Sequence, residues 1–136
     1  MQTPEYKIIF VGPSGIGKTT FLCKLSNNIP QNLNNVPKTL GVEVKTVDLH
    51  NQNNKIRLNI WDCAGDKSYK GLGKSYYIGS KMAVIFKDQS NIQNIINDIR
   101  DMCGEIPILE LNNFNKYNDY TITKEIIKNF AFNSIS

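Results

Sequence analysis

The chain has 136 residues, 40% of them hydrophobic and 21% charged, with a formal net charge of +4. These values are typical of one soluble globular domain with a single modest core. Because the lysines are spread along the chain, we expect neither nucleic acid nor an anionic membrane as a partner. No apolar run is long enough to span a bilayer, and no terminal motif predicts a lipid anchor. Cys23, Cys63 and Cys103 lack metal-site spacing, which favours reduced thiols in the cytoplasm.

The first structured stretch, residues 6–21, reads YKIIFVGPSGIGKTTF. Its apolar run predicts a strand that ends at Gly12, and the residues after Thr19 predict a helix. Between them lies G-x-x-x-x-G-K-[ST], whose glycines let backbone N–H groups turn towards phosphate oxygens at a helix start. The alternative is a glycine turn followed by a chance Lys-Thr pair. The residues that we expect around the phosphates are Gly12, Pro13, Ser14, Gly15, Ile16, Gly17, Lys18, Thr19 and Thr20.

Individual side chains near this loop have distinct predicted roles. Lys18 should reach the β- and γ-phosphates of a nucleoside triphosphate, and the hydroxyl of Thr19 should ligate Mg²⁺. Asp62 ends a strand that should lie beside the first one, where a carboxylate can hold the Mg²⁺ shell. Thr39 offers a second hydroxyl to the metal, and Gly65 lets a backbone N–H approach the γ-phosphate. The sequence therefore predicts Mg²⁺ as cofactor and a nucleoside triphosphate as ligand.

The next elements along the chain are a loop and a hairpin. Residues 27–38 are Asn-rich and interrupted by two prolines, which predicts a loop. Alternating side chains in residues 42–49 and 56–60, around a polar turn at 51–54, predict two antiparallel strands. His50 lies at the bend, where an exposed turn residue is a better interpretation than a catalytic base.

The second half of the chain predicts alternating strands and helices. Residues 82–86 form an unbroken apolar run, as expected for a strand buried on both faces. Apolar side chains at helical spacing follow in residues 92–103, and a further strand is predicted in 106–111. We expect a short helix in residues 123–129 and a last strand in 130–135. This order predicts an α/β fold with a mainly parallel sheet, one antiparallel hairpin strand and a ligand beyond the carboxyl ends of the strands.

The chain resembles the small GTPases of the Ras superfamily, and most of all the Ran branch. The resemblance lies in residues 12–21, in TLGVEV at 39–44 and in WDCAG at 61–65. It implies a three-layer P-loop NTPase fold in a single domain, GTP and GDP as ligands, and a location in the cytoplasm or nucleus. It also implies two switch segments, residues 31–41 and 65–77, through which an effector or regulator protein binds.

One departure from this family concerns hydrolysis. Asp66 stands where the family has a glutamine that orients the attacking water. Aspartate is shorter, and its charge would face a polyanion. We therefore expect slow GTP hydrolysis, with Lys18, Gly65 and Asp66 as the catalytic set.

A second departure concerns the base. The family reads guanine with N-K-x-D, and in that register this chain has Asn113, Phe114, Asn115 and Lys116. Phe114 replaces the lysine whose stem stacks on the base, although an aromatic ring could also stack. Lys116 replaces the aspartate and can only donate hydrogen bonds. A register shifted by two residues puts asparagine at the aspartate position, so both registers predict relaxed base selectivity.

The third departure is at the C-terminus, where the chain ends before the closing helix of the family. We therefore expect an apolar sheet face that a partner or a second copy covers. The alternative to a slow GTPase is a pseudo-GTPase, a binding module that keeps the switch surface without useful hydrolysis. A P-loop kinase is a third possibility, but Arg57 and Arg100, the only arginines, are poorly placed for a lid.

Overall fold

The computed structural model describes residues 3–12, 16, 18–26, 42–64, 76–87, 92–112, 114 and 119–135. Its elements are β1 (Glu5–Gly12), α1 (Lys18–Leu25), β2 (Val42–Asn51), β3 (Asn54–Ala64), β4 (Met82–Phe86), α2 (Gln93–Cys103), β5 (Ile108–Leu111) and α3 (Tyr120–Ile135). The five strands form one sheet in the order β2-β3-β1-β4-β5. Only β2 runs antiparallel to its neighbour, and the other pairs are parallel. The predicted α/β fold is therefore confirmed. None of the described helices is both long enough and apolar enough to cross a membrane.

The central strand β1 and its neighbour β4 contribute to both layers of the core. Ile8 and Phe10 of β1 pack on the sheet face that carries α1 and α3. Ile9 and Val11 alternate with them and pack on the face that carries α2. All five residues of β4 are buried. Because both faces are covered, these strands have continuous apolar sequences instead of alternating ones.

The predicted hairpin is confirmed. β2 and β3 pair from Val42 opposite Cys63 to Asn51 opposite Asn54. Two residues make the turn, and Gln52 takes the left-handed conformation with φ 55°, as two-residue hairpin turns require. His50 is exposed on the last part of β2, which agrees with its interpretation as a surface residue.

The C-terminal segment differs from the prediction. Instead of a short helix in 123–129 and a strand in 130–135, a single 16-residue helix, α3, spans Tyr120–Ile135. The predicted last strand is wrong. Ile127 and Phe132 are buried on one side of this helix, so its spacing fits packing on the sheet. That packing outweighs the preference of phenylalanine and isoleucine for strands.

The sequence predicts a bare apolar sheet face, whereas in the structure α3 packs on the sheet. Buried side chains of α3 belong to the same apolar cluster as Phe21 and Leu22 of α1. The helix start is capped, because the Asp119 carboxylate accepts a hydrogen bond from the N–H of Ile122 at 2.9 Å. The face beside α1 therefore carries a second helix in the described structure.

Candidate nucleotide site

The side chains of Lys18 and Asp62 meet at the carboxyl end of the central strands. Lys18 Nζ lies 2.8 Å from Asp62 Oδ1, and the two side chains are only 6% and 7% exposed. Lysine and aspartate are rarely buried unless they are paired. Charges removed from water in this way give little net stability. The burial of this pair therefore indicates a site whose function involves charged groups.

The fold explains why these two residues meet. Lys18 is the first residue of α1, immediately after the loop that follows β1. Asp62 lies on β3, which pairs in parallel with β1, and Phe10 is its partner in the register. Since parallel strands end at the same edge of a sheet, the loop and the carboxylate share that edge. The adjacency of the two strands was predicted from the sequence, and the structure confirms it.

Gly12 ends β1 where another strand leaves no room for a side chain. A Cβ at this position would lie 2.6 Å from the carbonyl oxygen of Phe86 and 3.0 Å from its Cβ. The first glycine of the motif is thus required by close packing against the end of β4. Ile16, inside the loop, is 8% exposed and joins the core cluster beside α1. Apolar packing therefore holds the loop to the sheet at this point.

The other predicted phosphate and metal residues are described only in part. Thr19 and Thr20 lie in the first turn of α1, and Thr20 is exposed. For Thr19 only the backbone is described, so its predicted metal-binding role stays a prediction. The predicted site residues that lie outside the described part of the chain are Pro13, Ser14, Gly15, Gly17, Thr39, Gly65, Asp66, Asn113 and Lys116.

Phe114, which the sequence predicts at the base, is buried in the described structure. It is 5% exposed and belongs to the core cluster. Its ring centroid lies 4.8 Å from that of Phe86 and 6.2 Å from that of Phe21, in edge-to-face arrangements that favour packing. The backbone N–H of Phe114 also donates to the carbonyl of Lys87 at 2.9 Å. The ring is therefore part of the core in the described structure, and its role at a base stays a prediction.

A comparison with protein families matches this sequence and gives the site its context. The family described as "Ras of Complex, Roc, domain of DAPkinase" matches residues 7–118, which is most of the chain. The chain belongs to the Roc family. This Roc domain is therefore a Ras-like GTP-binding domain, with GTP and GDP as its ligands. The predicted membership of the Ras superfamily is confirmed, whereas the closer resemblance to the Ran branch stays a prediction.

The residues of the site fit Mg²⁺ with a nucleotide better than Mg²⁺ alone. Among the described residues no group of three or more histidine, cysteine or acidic side chains could hold a metal ion. Asp62 supplies a buried carboxylate, and oxygen is the ligand that Mg²⁺ prefers. Mg²⁺ is commonly held by one or two carboxylates together with substrate phosphates. Among the described residues, Asp62 therefore fits the metal together with phosphate oxygens.

One feature of the structure was not predicted from the sequence. An open groove lies between β5 and α3, away from Lys18 and Asp62, with exposed Ile122 and Ile126 on its α3 side. The two isoleucines are four residues apart and thus share a helix face. That spacing was available in the sequence, but the predicted helix began at residue 123 and so left Ile122 outside it.

Proposed function

We propose that this Roc domain binds GTP and GDP together with Mg²⁺ and works as a slow nucleotide-dependent switch. The observation that carries the proposal is the buried pair of Lys18 and Asp62 beside Gly12. Lys18 would exchange Asp62 for the β- and γ-phosphate oxygens. Asp62, Thr19 and Thr39 would then face the metal. When bound, Mg²⁺ neutralises charge on the phosphates.

The proposal that GTP hydrolysis is slow depends on Asp66. A carboxylate close to the γ-phosphate repels the polyanion and positions water less well than the amide of glutamine. We expect single-turnover GTP hydrolysis to accelerate at least tenfold in Asp66→Gln. Asp101→Gln on α2 is the matched control and should leave the rate unchanged. Equal rates for the wild type and Asp66→Gln would reject Asp66 as the cause of slow hydrolysis and would leave the proposed nucleotide binding untouched.

We also propose that selectivity for guanine is weak. Phe114 supports this, because its ring packs against Phe21 and Phe86 instead of lying at the surface. Lys116 offers only donors where a carboxylate would pair with guanine. Titration calorimetry should show GTP and ATP binding within a factor of ten of each other, and Lys116→Asp should favour GTP. A hundredfold preference of the wild type for GTP would contradict this proposal.

The same position of Phe114 favours one alternative, a pseudo-GTPase that keeps the switch segments 31–41 and 65–77 to bind an effector or regulator. Identification of the nucleotide released on denaturing the purified protein separates the two. GDP or GTP in near-stoichiometric amount supports the switch. Protein that contains no nucleotide, and that fails to bind GTP with Mg²⁺ in calorimetry, supports the pseudo-GTPase.

A further inference from the structure

β5, at one side of the sheet, has an outer edge that no strand pairs with in the described part of the chain. On its inner side, Ala83 N–H donates to the carbonyl of Pro107, and Lys87 N–H donates to that of Leu111, each at 3.0 Å. Backbone groups alternate in direction along a strand. Ile108 and Glu110 therefore direct their N–H and C=O groups outward. An edge of this kind can accept an extended chain as a further strand.

An apolar groove flanks this edge on the α3 side. It has a volume of about 360 Å³, and its apolar lining includes Leu109, Leu111, Ile122 and Ile126. The described part of the chain exposes three large apolar side chains, and two of them are Ile122 at 62% and Ile126 at 45%. Exposed apolar side chains that converge on a groove commonly mark an interaction surface.

The opposite side of the same edge is acidic. Leu109 packs in the cluster beside α3 and Ile108 in the cluster beside α2. Glu110, two residues after Ile108, therefore points to the α2 side. Its side chain is 42% exposed, and the ammonium group of Lys87, its ion-pair partner, is 4.0 Å away. No lysine or arginine lines the groove in the described residues, whereas Asp119 does, and Glu110 also contributes to the lining.

We propose that the outer edge of β5 binds an extended peptide segment as an added strand. Apolar side chains of this segment enter the groove, and lysine or arginine side chains alternate with them and face Glu110. A partner with this pattern complements both sides of the edge, since side chains of a strand alternate between its two faces. Neither Lys18 nor Asp62 lines the groove.

A second copy of the chain fits this edge less well. Pairing two β5 strands would bring a second Glu110 to the same side of the joint, where like charges destabilise a strand pair. The other edge of the sheet, β2, is less suited to the same segment. It carries charged side chains such as Lys45 and Asp48, which discourage strand addition.

The test is selection of peptides from a phage-displayed random library on the full chain, with GDP and Mg²⁺ present. We expect the selected peptides to alternate apolar and basic residues. Ile126→Asp should weaken their binding at least tenfold, whereas Ile78→Asp, at an exposed isoleucine away from the groove, should not. Glu110→Lys should weaken lysine-containing peptides and strengthen versions in which glutamate replaces the lysine. Circular dichroism checks that each variant is folded.

Amide exchange distinguishes strand addition from attachment by side chains alone. A bound peptide should slow exchange of the Ile108 and Glu110 amides in the wild type. Failure to select any peptide, binding that is indifferent to both Ile126→Asp and Glu110→Lys, or unchanged exchange would overturn the proposal. Self-association in sedimentation experiments that Ile126→Asp abolishes would also overturn it, because a second copy would then occupy the edge.

Discussion

Strand β3 contributes one residue to each of two ion pairs that differ in their surroundings. Asp62, near its carboxyl end, is paired with Lys18, and both side chains are at most 7% exposed. Arg57, near its beginning, donates from Nε and Nη2 to the Asp48 carboxylate at 2.7 and 3.0 Å. The exposed fractions in that pair are 37% and 14%. The two pairs have similar chemistry but different access to water.

The difference supports the proposal that the buried pair belongs to the nucleotide site. Arg57 and Asp48 join the two hairpin strands in a bidentate geometry, which fixes their register at low desolvation cost. The burial of Lys18 and Asp62 costs both groups their hydration, and apolar side chains of equal size would stabilise the fold as well or better. A folding argument thus explains the pair on the hairpin. The buried pair is explained by the phosphate and metal that the Roc domain is proposed to bind.

The largest expected effect is that of Lys18→Met. It leaves the Asp62 carboxylate buried without the ammonium group at 2.8 Å. Removing one partner of a buried pair typically lowers the free energy of unfolding by about 3–5 kcal/mol. Urea denaturation at pH 7 should show this loss, and GTP binding in calorimetry should disappear. Arg57→Met, measured in the same way, should change stability much less and leave GTP binding unchanged.

A double variant separates charge from fold. Lys18→Met combined with Asp62→Leu removes both charges, so we expect stability to return to within about 1 kcal/mol of the wild type, or above it. GTP binding should stay lost. If the double variant were as unstable as Lys18→Met alone, packing and not the uncompensated charge would explain the loss.

Much of the candidate nucleotide site and of the hairpin could be predicted, because the sequence patterns that indicate them are local. The apolar run before Gly12, the glycines of the loop and the position of Asp62 indicated two adjacent strands and a phosphate site. The hairpin was equally accessible, since its side chains alternate around a polar turn. The sequence did not reveal that Lys18 and Asp62 contact each other directly. That contact depends on how close the carboxyl ends of β1 and β3 lie to each other in the fold.

The C-terminal part was less predictable for a physical reason. Residues 130–135 are aromatic and aliphatic enough for a strand, and only packing against the face beside α1 makes them helical. Phe114 was assigned to the base because of its position in a motif. Its burial against Phe21 and Phe86 arises from contacts between segments that are far apart in sequence. Local patterns do not report such contacts.

We expect Gly12→Ala, at the carboxyl end of β1, to lower the free energy of unfolding by an intermediate amount. The added methyl group would meet the Phe86 carbonyl oxygen at 2.6 Å, and a backbone atom cannot move aside as a side chain can. Overpacking of this kind costs about 1–3 kcal/mol. Urea denaturation should show the loss together with weaker GTP binding. Cys23→Ala, at an exposed position in α1, is the control. Unchanged stability in Gly12→Ala would mean that the ends of β1 and β4 can separate.

The smallest effect concerns the exposed pair and its pH dependence. Hydrogen bonds from Arg57 are the largest cause that holds the pKa of Asp48 below its ordinary value of 3.8. Because the folded state lowers this pKa, the pair stabilises the fold fully above pH 3.8, and that contribution is lost as the pH falls through the lowered pKa. The difference in urea midpoint between the wild type and Asp48→Asn should be constant from pH 7 to 5 and shrink towards pH 2. A difference for Asp48→Asn that stays constant down to pH 2 would mean that the hairpin pair contributes nothing through charge.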